Sequence, residues 1–248
     1  MKNNHYLIII ALLLALITTA CSKQQSYELI SPDGNLKMEV FQTEDGNILY
    51  AFKAGSQALI DSSQLGFTTA SGEKLLSGNW VIEKAEYRNI DQVWEPLWGK
   101  RKIVPDRFQE LIIHLTSNNA PLENMQIIAR AYDDGIAFRY MIPSGQNKQV
   151  DISAALNEFN FAGDYTAWFY NGENHNIGPE KLSDCDGQYY PVMTLKTDRH
   201  YMAVHEADLI DGTPLVLTTN TGEKRFSIAP KKETLSPGYA SAWRVILY

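Results

Sequence analysis

Short runs of alternating apolar and polar residues, each closed by turn-forming residues, constrain this chain to an all-β fold. Leu36, Met38 and Val40 alternate with Lys37 and Glu39, the period of two that puts one side of a strand in a core and the other in water. Tyr27-Glu28-Leu29-Ile30 leads into Ser31-Pro32-Asp33-Gly34-Asn35, and Glu44-Asp45-Gly46-Asn47 turns the chain before residues 48–53 return it as a hairpin. Further strands are expected at residues 81–87, 111–115, 125–132, 136–141, 192–195, 200–205, 215–219 and 225–228. Asp133-Asp134-Gly135 has the composition of a tight hairpin turn. Helix is expected in two short places at most, residues 62–65 and 179–183. Many short strands with regular turns argue for an antiparallel sandwich or barrel over alternating βα units. With no internal repeat or low-complexity linker, residues 27–248 read as one domain.

The first residues address the compartment. Lys2 precedes an unbroken apolar run over residues 7–17, then Thr18, Thr19, Ala20 and Cys21. A charged start, a short apolar core and a small-residue cleavage site make a secretory signal peptide over residues 1–20. A bilayer span needs roughly 20 apolar residues, so the run is too short for one. A cysteine at that point is expected to be lipidated, with residues 21–26 as anchor and polar tether. Simple cleavage and release is the alternative, because Thr18 stands where such sites usually carry Leu. The expected location is therefore the periplasm or outer membrane of a Gram-negative bacterium, as a lipoprotein. At the other end, Trp243-Arg244-Val245-Ile246-Leu247-Tyr248 reads as a buried strand with no polar tail. Domains usually end at the surface, so this points to a fold truncated at its last strands.

Once Cys21 is assigned to processing, Cys185 has no partner and no disulfide framework is available. A formal charge of −7 argues against a nucleic-acid partner, whose phosphates demand a basic footprint. No phosphate loop, paired-cysteine motif or Gly-x-Ser-x-Gly elbow is present. His200 and His205 fall in one expected strand, where odd spacing sends them to opposite sides, and His205 and Glu206 likewise point apart. Asp133 and Asp134 sit at a hairpin tip, where the turn accounts for them better than acid–base work does. The loop Asn171-Gly172-Glu173-Asn174-His175-Asn176-Ile177-Gly178-Pro179-Glu180 gathers hard oxygen ligands of the kind that suit Ca²⁺, although a solvated turn is the plainer reading. Trp94-Glu95-Pro96-Leu97-Trp98-Gly99 is either a sugar-stacking platform or packing surface.

Taken in order, five stretches resemble the N-terminal domain of glycoside hydrolase family 97, the α-glucosidases and α-galactosidases related to the starch-utilisation enzyme of gut bacteria. They are Ser31-Pro32-Asp33-Gly34-Asn35-Leu36, the tryptophan stretch from Trp94 to Gly99, Arg130-Ala131-Tyr132-Asp133-Asp134-Gly135-Ile136-Ala137-Phe138-Arg139-Tyr140, His205-Glu206-Ala207, and Trp243-Arg244. The resemblance implies a β-supersandwich like that of the galactose mutarotases. It also implies a (β/α)₈ barrel as partner, carrying the catalytic carboxylates and most contacts to an α-linked oligosaccharide. On that reading this chain holds no catalytic residue of the family, and its substrate-binding residues are not specified. One residue carries over: Glu173, with Glu180 as competitor, matches a family glutamate that helps to hold calcium at the barrel. One carboxylate is far from the six to eight oxygens calcium takes, so tight calcium binding is expected only together with the barrel. The role implied is that of a non-catalytic, carbohydrate-associated domain. Two other readings stand beside it: a mutarotase-like or epimerase-like enzyme using His175 or His205 with a glutamate, and a lipoprotein scaffold without sugar specificity. If a barrel is missing, Trp94 and Trp98 are expected to be exposed and the chain prone to aggregate.

Overall fold

The computed structural model of the chain describes residues 25–170, 172, 176–210 and 212–248. Alternation makes the first strands: β1 (Ser26–Ile30), β2 (Leu36–Gln42), β3 (Ile48–Ala54) and β4 (Gln57–Gln64), with Met38, Val40, Tyr50 and Phe52 buried. The short β5 (Phe67–Thr69) and β6 (Lys74–Leu75) precede two long strands, β7 (Val81–Trp94) and β8 (Val104–Thr116). Next come β9 (Asn124–Tyr132), β10 (Gly135–Met141), β11 (Val150–Ala155), β12 (Glu158–Phe161), β13 (Thr166–Tyr170) and β14 (Asn176–Lys181). The last six are β15 (Gly187–Lys196), β16 (Tyr201–Ala207), β17 (Leu217–Thr219), β18 (Arg225–Ile228), β19 (Glu233–Leu235) and β20 (Trp243–Leu247).

Among the described residues sixteen strands form one sheet, fourteen of them along a continuous path, and four form a second sheet, β19-β11-β5-β6. The path folds back on itself as a sandwich. One layer runs β1-β2-β3-β4-β12-β18-β17, the other β15-β16-β20-β10-β9-β8-β7, with β13 and β14 added beside β15. The link is β15: Gly187 to Tyr189 pair with β17, and Met193 to Lys196 pair with β16. The side chains between the layers make one core, in which Tyr50 of β3 meets Phe138 of β10 at 5.0 Å and Phe67 of β5 meets Tyr140 at 4.7 Å. Each fully buried large apolar side chain contributes about 1.5–3 kcal/mol, which is how a fold without a disulfide is held. The fold is the antiparallel all-β sandwich expected from the alternation.

Several expected boundaries change. Residues 62–64 are not helical but the end of β4, because β12 uses their polar groups: the Ser63 hydroxyl accepts from the Asn160 N–H, and the Asn160 side-chain amide donates to the Ser62 carbonyl. The second helical expectation shrinks to a single 3-10 turn, Leu182–Asp184, since Glu180 and Lys181 pair with Ala167 and Thr166 of β13. Gly178 allows that pairing, for a Cβ there would stand 2.3 Å from the Ala167 carbonyl. His200 lies before β16 rather than in it, in a turn closed by the Thr197 hydroxyl, with its ring 4.9 Å from that of Tyr248.

Candidate functional site

The second layer has an unusual outer face, the side turned away from the core. Alternation along β8, β9, β10 and β20 sends Leu111, Ile127, Phe138 and Ile246 inward, and Ile112, Ile128, Ala137 and Trp243 outward. The outward four form their own small apolar cluster, joined by Met141 and Val245. Trp243 is only 8 % exposed, because the Arg130 and Arg139 guanidiniums cover its ring at 4.6 and 4.4 Å. Arg130 also lies 4.3 Å from the Phe108 ring. Its Nε donates to Glu110 Oε2 at 2.9 Å, and Arg88 reaches the other oxygen of Glu110 at 3.6 Å. Arg139 donates to Asp208 at 3.1 Å, while its Nε is buried with no hydrogen-bond partner among the described residues. Two guanidiniums on adjacent strands thus flank one indole, each held from its far side by a carboxylate. Beside it lies a mostly apolar hollow of about 430 Å³ whose lining includes Arg130, Tyr132, Ala137, Trp243, Val245 and Leu247.

The surface continues along the β7–β8 hairpin. Ile90 faces Phe108 and Trp94 faces Val104, so these side chains share the outer face. Trp94 is 53 % exposed and Trp98 86 % exposed, which removes them from the core of this domain. Aromatic and arginine side chains over an apolar centre, with a charged surround, are the composition of a protein-docking surface.

The inner side of β20 holds a buried ion pair. Arg244, 2 % exposed, donates to Glu206 Oε2 at 3.0 Å and to the Thr213 carbonyl, and the same Glu206 oxygen accepts from the Leu215 N–H at 2.8 Å. Burial pulls the Arg244 guanidinium below its ordinary value, and Glu206 opposes that pull. Glu206 is therefore committed inward, while His205 is exposed on the other side of β16, so the two form no acid–base pair. His114 is also engaged, 3.0 Å from Glu86 through Nε2 and 3.2 Å from the Gln126 amide through Nδ1. Asp133 holds the turn region together by pairing with Arg107 and accepting the Asp33 N–H at 2.8 Å.

Of the residues singled out for calcium, Glu173 lies outside the described residues, as do His175 and Cys21. Glu180 is on β14, its carboxylate 3.9 Å from the Cys185 thiol. Among the described residues no three His, Cys, Asp or Glu side chains converge as a metal site. Burial first, and then Glu180, push the Cys185 thiol up to about 12. An acid whose pKa rises on folding supports the fold fully below its unfolded value and loses that support as the pH climbs through the folded one. The stability of the wild type should fall between the ordinary thiol value of 9.0 and about 12 more steeply than that of Cys185→Ala. Urea midpoints read against pH check this, and parallel curves would refute it.

The outer-face arginines escaped the sequence reading, yet a signal was present. The Asp133-Asp134-Gly135 turn sets Arg130 opposite Ala137 and Arg139 opposite Ile128, so both arginines land on one face. Trp243 joins them from more than a hundred residues away in the chain, which no local pattern announces.

Fold and surface together define a class: an antiparallel β-sandwich domain whose outer face carries an apolar patch covered by two arginines. The chain matches the family model described as glycosyl-hydrolase 97 N-terminal over residues 29–248, and it belongs to that family. It is 21 % identical over 234 residues to the retaining α-galactosidase of Bacteroides thetaiotaomicron, a match covering 87 % of this chain and 34 % of that protein. It is also 21 % identical to a probable retaining α-galactosidase of Streptomyces bingchenggensis, over 82 % of this chain and 32 % of that one. The chain thus spans about a third of the length of these curated relatives. Among solved structures, a glycoside hydrolase family 97 enzyme from a Pseudoalteromonas species, in complex with acarbose, superposes with a TM-score of 0.76 at 23 % identity, covering 89 % of this chain and 35 % of that one. A β-arabinopyranosidase has the same fold over 90 % of this chain and 40 % of its own, with a TM-score of 0.76 at 20 % identity.

Proposed function

We propose that this chain is the non-catalytic amino-terminal domain of an exported α-glycoside hydrolase, and that it packs through its outer face against a (β/α)₈ barrel. The observation that carries this reading is the Arg130–Trp243–Arg139 stack beside an open apolar hollow, on the side of the sandwich that has no core to cover it. Family membership supports it, because the relatives carry this domain on about a third of their length and act on glycosides. Hydrolysis of an α-glycoside needs two carboxyl groups placed about the scissile bond at a set separation. In our reading those groups belong to the barrel.

Calcium enters the same reading as a shared ion. It takes six to eight oxygens, so a single carboxylate from Glu173 would complete a site that the barrel supplies. Lipidation of Cys21 would hold the assembly at a membrane, with the substrate an α-linked oligosaccharide. Purified residues 22–248 should release no product from p-nitrophenyl α-galactoside or α-glucoside, with or without calcium. Turnover by that protein alone, free of any partner, would overturn the assignment.

A further inference from the structure

β7 closes one end of the second layer, and among the described residues only β8 pairs with it. Its other edge is a row of backbone donors and acceptors along a strand of 14 residues. Edges are normally blunted by shortness, proline, a bulge or a covering element, because an open one pairs with another chain. β7 is long and carries no proline, and its one register shift, between Ile82 and Lys84, falls before the regular stretch. From Lys84 to Asn89 that stretch is backed by the sheet, since β8 pairs there with β9 on its far side. The core side of this edge is also incomplete. Tyr87 stands opposite the buried Leu111 yet is 55 % exposed, because the first layer ends at β1 and leaves it uncovered. An open edge with a core-side tyrosine is a different surface from the outer face around Trp243.

The charges along the edge select its partner. On the outer side Lys84, Glu86 and Arg88 follow one another as plus, minus, plus. An antiparallel second copy of β7, centred on Tyr87, sets Glu86 opposite the partner's Arg88 and Arg88 opposite the partner's Glu86. It joins the two Tyr87 rings on the core side and sets Lys84 against the partner's Ile90. Opposite charges and aromatic rings directly across a strand pair both favour it. The next rung would oppose Glu83 to the partner's Asp91, two acids, so the pairing ends there. Other registers fare worse. Centring on Glu86 opposes Lys84 to the partner's Arg88, and centring on Arg88 opposes two guanidiniums. Centring on Asn89 matches no charges, and centring on Ala85 runs across the register shift. Centring between two residues sets outer side chains against core-side ones.

We propose that β7 is a self-recognition edge, through which two copies of this chain join their second layers into one continuous sheet about a twofold axis. A self-complementary contact of this kind closes at two copies. The proposal rests on β7 alone and is independent of the docking reading. One strand pair is a small interface, so the dissociation constant should be on the order of 10 µM. Sedimentation equilibrium of residues 22–248 between roughly 1 and 200 µM covers that range. Arg88→Glu and Glu86→Arg should each weaken the dimer about tenfold, because each opposes like charges at two rungs. Mixed in equal amounts, the two variants should associate nearly as well as the wild type, since opposite charges then meet at both rungs. Recovery in the mixture also shows that both variants are folded. Backbone amides within residues 84–90 should gain protection from hydrogen exchange as the wild type is concentrated. A wild type that stays monomeric throughout the range overturns the proposal. So does a dimer that both variants form equally well, or one that protects a strand other than β7. Failure of the mixture to recover, with both variants melting as the wild type does, overturns the register and the proposal with it.

Discussion

Glu206→Ala should destabilise the domain by about 3–5 kcal/mol, because it leaves the Arg244 guanidinium buried without its carboxylate. The pair sits on the inner side of the second layer, where Arg244 is 2 % exposed. The loss extends beyond the ion pair, for Glu206 Oε2 also accepts the Leu215 N–H and so fixes the segment leading into β17. Arg244→Met should cost less than Glu206→Ala, since it removes the buried charge instead of stranding it. Thr213 then loses one donor to its carbonyl and keeps its backbone in place. Equilibrium unfolding in urea of the two single variants and the double variant checks the argument. The double should lie close to Arg244→Met, because the Glu206 penalty exists only while Arg244 is charged and present. Additive effects would show that the two side chains act separately.

Position in the fold decided what could be read from the sequence. The β2–β3 hairpin was legible because each strand has one wetter side and one dry side, and the β9–β10 hairpin because Asp133-Asp134-Gly135 can do little but turn. β7 was placed but drawn too short. Past Asn89 it leaves the body of the sheet, all but Ile90 is exposed, and the period of two disappears with the core that creates it. β4 hid behind Ser62 and Ser63, polar residues that are strand-forming here only because Asn160 arrives to bond them. The site residues were half legible. Trp94 and Trp98 stood out as a cluster in the chain, whereas nothing joined Arg244 to Glu206, its inner-side partner 38 residues away. A pair that exists only by strand adjacency leaves no local mark in a sequence.

Trp243 is where stability and the proposed docking face are most closely joined. Trp243→Ala should cost about 3–5 kcal/mol, the usual range for removing a buried indole. Its ring supports Ile112, Ile128 and Ala137 and carries two guanidiniums that would otherwise need water or a carboxylate. Each cation–π contact contributes about 0.5–2 kcal/mol, more when desolvated, so Trp243→Phe should recover the apolar part and only some of the cationic part. Truncating an exposed residue of the β7–β8 hairpin such as Trp98 should leave stability within about 0.5 kcal/mol of the wild type. The contrast separates two roles that composition alone leaves merged: an aromatic that organises the face and one that the domain's own packing does not use. Urea unfolding of Trp243→Ala, Trp243→Phe and Trp98→Ala under one condition reads the difference directly. Equal losses for Trp98→Ala and Trp243→Ala would mean that the tip of the β7–β8 hairpin is part of the domain's own core, against its exposure here.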